Sequence, residues 1–429
     1  MLFGSSGTDA PQNGATDGGQ PAAQLQSILT AEVIQQLGRF YQSPQTAPEI
    51  IDTLLRFAVE RKVSDILIEP TNEYTLVRMR LDGMLQEATR IPRAIYAAVA
   101  SRIKVLSNLD TTSRTAALEG KFLFSQDSRM INVRVAITVV ASGEMVALRI
   151  HDSANSVMQL TEHGMSPTVT QAYSSLLKLK TGLLIVCGPT GAGKTSTLYS
   201  SLQILNTGTT NIISIEDPVE YVMQGINQMQ VDHDRDLTFA SGLRVILRLN
   251  PDIIFVGEVR DQETAQIGIE AALTGHLVLT TLHANSAVSA ISRLRDLEIE
   301  KFFINAALKG VLCQRLVRVT CKKCGQWQVP SVDEQEIFTQ VTGRVLEKQF
   351  VGAGCAECAG TGFQGRIGVF ELVLIDEVVR NLISHSVSEQ EMFMELRKHG
   401  FLSLIEDGMA KVEQGLTTMT EVLTNVSQE

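Results

Sequence analysis

Hydrophobic and polar positions change rhythm three times along the chain. Residues 1 to about 24 are mostly Gly, Ala, Gln and Asp, with almost no large apolar side chains. Such a stretch buries too little surface to offset its conformational entropy, so a disordered tail is expected. LQSILTAEVIQQLGRFY then brings apolar residues to helical spacing, predicting an amphipathic helix within 25–47 that offers itself as a docking segment. Between 48 and 152 the pattern predicts a compact α+β domain. Ile50 to Glu60 has helical spacing, and DILIEP and YTLVRMRLDG alternate as strands with a turn at Asp82-Gly83. A second helix follows from Ala94 to Leu106; MINVRVAITVV and MVALRIH, divided at Ser142-Gly143, return to strand. Residues 153–167 read as a linker, with Ser166-Pro167 as a helix start.

From residue 168 the rhythm changes again. LLIVC, NIISIE, DIIFVGE and HLVLTTL are short apolar runs without polar alternation, as parallel strands covered on both faces require. Helical lengths separate them, so 168–429 is expected to be an α/β domain. It includes a cysteine-bearing subdomain at 318–375 and a helical tail at 376–429.

Composition narrows the function. A chain of 429 residues accommodates two or three domains. The net charge of −10 and an aromatic content of 5% argue against nucleic acid as the main partner. No apolar run approaches the ~18 residues of a membrane span, and the N-terminus lacks the basic and apolar regions of a secretory signal. A cytoplasmic protein with at most peripheral membrane association is expected.

The chemistry concentrates where strands end. GPTGAGKTS, from Gly188 through Pro189, Thr190, Gly191, Ala192, Gly193, Lys194 and Thr195 to Ser196, follows a strand and opens a helix. Glycines let backbone N–H groups wrap a nucleotide's phosphates while the helix N-terminus adds positive potential. Lys194 would pair with β and γ oxygens, and the Thr195 hydroxyl would sit on Mg²⁺. Glu258 in NPDIIFVGEVRD lies just past an apolar strand, where a carboxylate can reach that Mg²⁺ or polarise an attacking water. Glu216 in NIISIEDPVEY is a second carboxylate at such an edge, suited to organising Mg²⁺ or water. GHLVLTTLHANSA contributes His276 and His283, either structural histidines or groups linked to the nucleotide. Cys321, Cys324, Cys355 and Cys358 form two Cys-x-x-Cys pairs that together supply the four sulfurs of a Zn²⁺ site. The competing reading is four buried or redox-labile thiols. Cys187, at a strand end, and Cys313, in an apolar helical context, read as packing residues.

In order, GPTGAGKT, IEDPVE, GEVRD and TGHLVLTTLHANSA resemble the four boxes of the type II secretion and type IV pilus assembly ATPase family. The resemblance runs from about residue 50 to the C-terminus. It implies a RecA-like P-loop NTPase domain preceded by a smaller PAS-like domain, and a homohexamer working at an inner-membrane platform protein. SDILIEP and VRMRLDGML resemble the family's N-terminal domain, although Leu67 stands where a histidine is usual. By that resemblance Arg78, Arg80, Arg114, Arg134 and Arg149 are candidates for phosphate or interface contacts. The paired Cys-x-x-Cys, followed by TGFQGRIGVFE, resembles the zinc-bearing extension and secretion branch rather than retraction motors. The expected function is ATP hydrolysis driving pilin or pseudopilin assembly; the alternatives are a retraction motor, a nucleic-acid-translocating motor or a non-hydrolysing scaffold.

Overall fold

A computed structural model describes residues 28–112, 117–127, 129–152 and 158–426. The expected tail at 1–24, Arg114 and residues 153–157 of the linker lie outside them.

The first unit opens with α1 (Ala31–Phe40) and α2 (Ala47–Glu60), followed by β1 (Asp65–Pro70), β2 (Tyr74–Leu81) and β3 (Met84–Pro92). Helix α3 (Arg93–Leu106) leads to β4 (Leu118–Gln126), β5 (Arg129–Val140) and β6 (Gly143–Asp152). The strands form one antiparallel sheet in the order β3-β2-β1-β6-β5-β4. Side chains alternate across a strand, so the period-two pattern sends Ile66, Ile68, Val77, Met79, Ile131, Val133, Val146 and Leu148 to one face. They are buried there with Ile50, Leu54, Val99 and Ile103 of the two helices. Thr30 caps α1 through its side chain. Ile28, Leu29 and Leu37 join this same core, so the helix expected as a docking segment spends these apolar residues within its own unit.

The second unit is built on a seven-stranded sheet in the order β15-β12-β7-β11-β10-β8-β9. Helix α4 (Pro167–Leu177), capped by Ser166, precedes β7 (Gly182–Cys187), α5 (Lys194–Leu205), β8 (Ile212–Glu216) and β9 (Asn227–Gln230). Next come α6 (Phe239–Ile246), β10 (Ile253–Val256), α7 (Gln262–Leu273), β11 (Leu277–Leu282), α8 (Ala287–Asp296) and α9 (Lys301–Ala307). Strands β12, β7, β11, β10, β8 and β9 run parallel, and every residue of β7, β8, β10 and β11 is buried. That matches their unbroken apolar runs.

Strand β12 (Leu308–Thr320) corrects the helical context expected around Cys313. A continuous apolar run fits a buried helix or a buried strand equally well. Here β7 and β15 (Phe363–Leu374) flank it on both edges, and Cys313 pairs with Cys187 in the parallel ladder. The cysteine insert is an excursion between β12 and the antiparallel β15, made of β13 (Gly325–Gln328), α10 (Val332–Thr342) and β14 (Gln349–Gly352). Helices α11 (Glu377–His385), α12 (Glu389–Lys398), α13 (Leu404–Glu413) and α14 (Met419–Val426) complete the unit. Among the described residues no helix is long and apolar enough to cross a membrane.

The units touch through polar contacts and through Ala359, which packs against the core of the first. Gly365 N donates to Asp82 Oδ2 at 2.8 Å, and Arg61 Nη1 to the carbonyl of Glu357 at 3.0 Å.

Candidate active site

The loop between β7 and α5 turns through Gly188, Gly191 and Gly193, whose φ values are 145°, 80° and 86°. Side chains resist that region, and at Gly193 a Cβ would sit 3.0 Å from Gln314 Nε2. Helix α5 begins at Lys194, with Thr195 and Ser196 exposed in its first turn, where N–H groups lack helical partners. Lys194 is only 9% exposed, and its Nζ donates to the carbonyls of Gly188 and Pro189 at 2.8 and 3.0 Å. Burial pulls the ammonium below the ordinary lysine range, while the charge of Glu258 opposes that shift. This combination, a glycine turn, a helix start and a buried lysine, fits a polyphosphate.

Strand β12 supplies a brace that the sequence did not reveal. Gln314 accepts from the Thr197 hydroxyl at 2.7 Å and donates to the carbonyl of Ala192 at 2.5 Å. It pins the end of the loop and the first turn of α5 to a strand more than a hundred residues away. Gln314→Ala should weaken nucleotide binding by up to about thirtyfold, since two buried hydrogen bonds are each worth about 1 kcal/mol. Titration with a fluorescent ATP analogue checks this; unchanged affinity would show that the loop holds its shape without Gln314.

Glu258 follows β10 on the same edge. Its Oε1 takes the His283 Nε2 at 3.0 Å and its Oε2 takes Arg260 Nη2 at 2.7 Å. The hydrogen bond from Arg260 to Glu258 raises the arginine's pKa further, so the guanidinium stays charged. A carboxylate has about four lone-pair sites, so these two donors orient Glu258 and leave acceptor capacity for a water. His283, Asn285 and Arg293 line a cleft of about 490 Å³ together with Gly188, Pro189 and Thr190. The loop carrying His283 is itself fixed. Ala287 N, at the start of α8, donates to Glu371 Oε1 at 2.6 Å, and Leu404 N donates to its Oε2 at 3.1 Å. One buried carboxylate on β15 therefore ties the helical tail to this loop.

Glu216 ends β8 but is 3% exposed. Its carboxylate accepts from Ser214 at 2.6 Å, from Gln228 Nε2 at 3.1 Å and from the Tyr199 hydroxyl. Burial, then the charge of Glu216, pushes the Tyr199 phenol up, so it remains a donor. Glu216 thus fastens α5 to β8 and β9 behind the loop.

His276 needs a correction. It precedes β11, whose Leu277 pairs with Gly182 and whose Leu282 pairs with Cys187. Six residues at ~3.3 Å each put the two histidines about 20 Å apart, at opposite edges of the sheet. His276 Nδ1 lies 2.9 Å from the Ala271 carbonyl, closing the turn after α7, and has no part in its own chain's phosphate loop.

The arginines divide. Arg78 forks onto Glu69 at 2.5 and 2.6 Å, and Arg80 and Arg149 share Asp65 at 3.4 and 3.0 Å, all within the first unit. Arg134 alone of the described candidates reaches the second unit, meeting Glu220 of the acidic box at 3.3 Å. His151, a residue the sequence did not flag, lies on the same carboxylate at 3.2 Å. Burial lowers its pKa more than Glu220 raises it, so it is neutral at pH 7.

Cys321, Cys324, Cys355 and Cys358 come together at the base of the insert, with all four sulfurs within 4.8 Å. The separations of 4.0 Å for Cys321–Cys355, 3.8 Å for Cys324–Cys358 and 3.7 Å for Cys355–Cys358 fit the ~3.8 Å edge of a tetrahedron with 2.3 Å metal–sulfur bonds. Burial raises the Cys358 thiol, but N–H donors from Cys355 and Gly362 outweigh it and bring its pKa down to about 7.

Residues 42–424 match the family described as Type II/IV secretion system protein. The chain belongs to that family. It is 42% identical over 380 residues to the type II secretion system protein E of Pectobacterium carotovorum subsp. carotovorum, covering 89% of this chain and 76% of that protein. To the type II secretion system ATPase E of Vibrio cholerae it is 38% identical over 395 residues, covering 92% and 78%. The solved pilus retraction motor PilT with bound ADP is 25% identical, with a TM-score of 0.57 and coverage of 87% and 96%. The Legionella pneumophila ATPase DotB has the higher TM-score, 0.65, at 22% identity, covering 88% of this chain and 95% of DotB, and speaks for the fold alone. The family and the P-loop α/β fold class expected from the boxes are both borne out.

Proposed function

We propose that this family member is a motor ATPase that hydrolyses Mg-ATP to drive assembly of a type II secretion pseudopilus or a type IV pilus. The observation that carries hydrolysis is the placement of Glu258, oriented by His283 and Arg260 on the strand edge shared with the phosphate loop. Lys194 and the first turn of α5 hold the phosphates, Thr195 supplies a hydroxyl to Mg²⁺, and Glu258 orients water and takes its proton. Mg²⁺, when bound, neutralises phosphate charge. Glu216 supports the site from behind by holding Tyr199 and β8 in register. His283 keeps Glu258 aimed.

The chain works as a homohexamer at an inner-membrane platform protein, with peripheral membrane association only. Contact between Arg134 and Glu220 supports a first domain that moves with the acidic box; Arg78, Arg80 and Arg149 are left to interface contacts. Zn²⁺ closes the tetracysteine site in a structural role. Relatives that are type II secretion proteins at 38–42% identity, together with this cysteine set, favour extension over retraction.

Deletion of the gene in its native host tests the output. Loss of secreted enzymes or of surface pili is expected. Hyperpiliation would instead assign retraction, and ATP turnover stimulated by DNA in the purified protein would assign a nucleic-acid motor.

A further inference from the structure

Arg315 follows Gln314 on β12 and points to the opposite side of the strand. Its Nη2 donates to the carbonyl of Asn285 at 3.3 Å, and its Nε has no hydrogen-bond partner among the described residues. The side chain belongs to a residue only 8% exposed. Other buried charges nearby are matched. Arg318, on the same strand, forks onto Glu421 at 3.0 and 2.6 Å, and Lys411 pairs with Asp407. Arg315 forms no ion pair among the described residues, and an uncompensated buried cation destabilises the fold that holds it.

The residue before it, Gln314, is bonded to the phosphate loop at Ala192, and that loop leads into a second buried cation. Lys194 contacts only carbonyls among the bonds of its Nζ, and the charge of Arg315 is one of those that act on it. Asn285, the residue Arg315 holds, lines the cleft with His283 and Gly188 to Thr190. A buried guanidinium with no acidic partner, next to the buried lysine of a phosphate-shaped loop, calls for an anion of high charge density.

We propose that Arg315 is a positioning residue for the triphosphate: its buried charge is balanced by the nucleotide's phosphates, and its hold on Asn285 couples that balance to the loop carrying His283. This deepens the nucleotide-site reading and rests on it. A structural strut and a phosphate-balancing charge behave differently when the charge is removed. Arg315→Met keeps length and apolar bulk, and without nucleotide it should melt at or above the wild-type temperature, because an unmatched buried charge is gone. Its affinity for Mg-ATP should fall at least about tenfold and that for ADP less than about threefold, since ATP brings the larger charge. Arg315→Lys, which keeps the charge but loses the planar fork, should retain the preference for ATP.

Binding of fluorescent ATP and ADP analogues, with melting of each nucleotide-free variant, reads all three. Arg315→Met with wild-type affinities for both nucleotides would overturn the proposal while leaving the nucleotide site standing. So would Arg315→Lys losing the ATP preference as fully as Arg315→Met, a comparison that holds even if the Met variant folds poorly. A wild-type chain that binds neither nucleotide would overturn both readings.

Discussion

Glu258→Gln is expected to bind Mg-ATP within about threefold of wild type and to turn it over about a thousandfold more slowly, in the range ascribed to a lost general base. The substitution is nearly isosteric, so the packing around β10 and the phosphate loop is kept. What changes is the charge that draws three groups together. His283 Nε2 at 3.0 Å and Arg260 Nη2 at 2.7 Å each donate to a carboxylate oxygen, and an amide offers only one acceptor oxygen. One of the two donors then faces an NH₂ group and must turn away. The proton acceptor is lost along with the geometry that aimed it. Lys194 behaves differently in the same protein. Glu258 acts to keep its ammonium charged, so the neutral amide moves the lysine's pKa further down. The backbone N–H groups of the loop and of the first turn of α5 are unchanged, so ATP binding is spared while hydrolysis is not. Single-turnover hydrolysis beside equilibrium binding separates the two; turnover near the wild-type rate would remove Glu258 from the chemistry.

The parts of this site that were legible in the sequence are those where one short segment contains both the scaffold and the chemistry. In LLIVCGPTGAGKTS the apolar strand, the glycines and the helix start are contiguous, so β7, its loop and α5 could be read together. Glu258 was legible for the same reason, four apolar residues and a glycine preceding it. Gln314, Arg315, Glu371 and His151 were not, because each reaches the site by topology. β12 lies beside β7 in the sheet only because the chain crosses over after α9, more than a hundred residues past the loop it braces. Nothing in VLCQRLVRV says which strand will lie alongside it. His276 failed in the opposite sense. It shares a motif with His283, but a strand between two motif residues places them on opposite edges, and proximity in sequence became separation in space. The arginines of the first unit show the limit of charge reading. Four described candidates have suitable chemistry, yet three are occupied by Glu69 and Asp65 within their own sheet.

Replacing Cys355 and Cys358 by Ser should take bound zinc from about one ion per chain to none and release the base of the insert, without abolishing ATP binding. The knuckles have little apolar support of their own. Cys324 and Cys355 are partly exposed, β13 and β14 pair over four residues each, and an isolated two-stranded pair is marginal in water. Metal coordination is then the main term holding residues 321–362 in place, and its binding free energy appears as folding free energy. The helix of the insert rests on something else. Phe338 and Leu346 pack with Met409, Val412, Met419 and Val422 of α13 and α14, so α10 stays docked when the knuckle opens. The nucleotide site is separated again, since β7 and its loop draw on a different core. Loss should appear at the domain contact, because Glu357, whose carbonyl takes Arg61, lies within the second knuckle, and Ala359 packs against the core of the first unit. The expected readouts are new tryptic cleavage at Lys322 or Lys323 and a melting temperature lower by about 5 °C, with nucleotide affinity within about twofold of wild type. Elemental analysis of the wild-type chain decides the matter first: a purified protein with no zinc, or a double Ser variant as protease-resistant as wild type, would return the four cysteines to ordinary buried thiols.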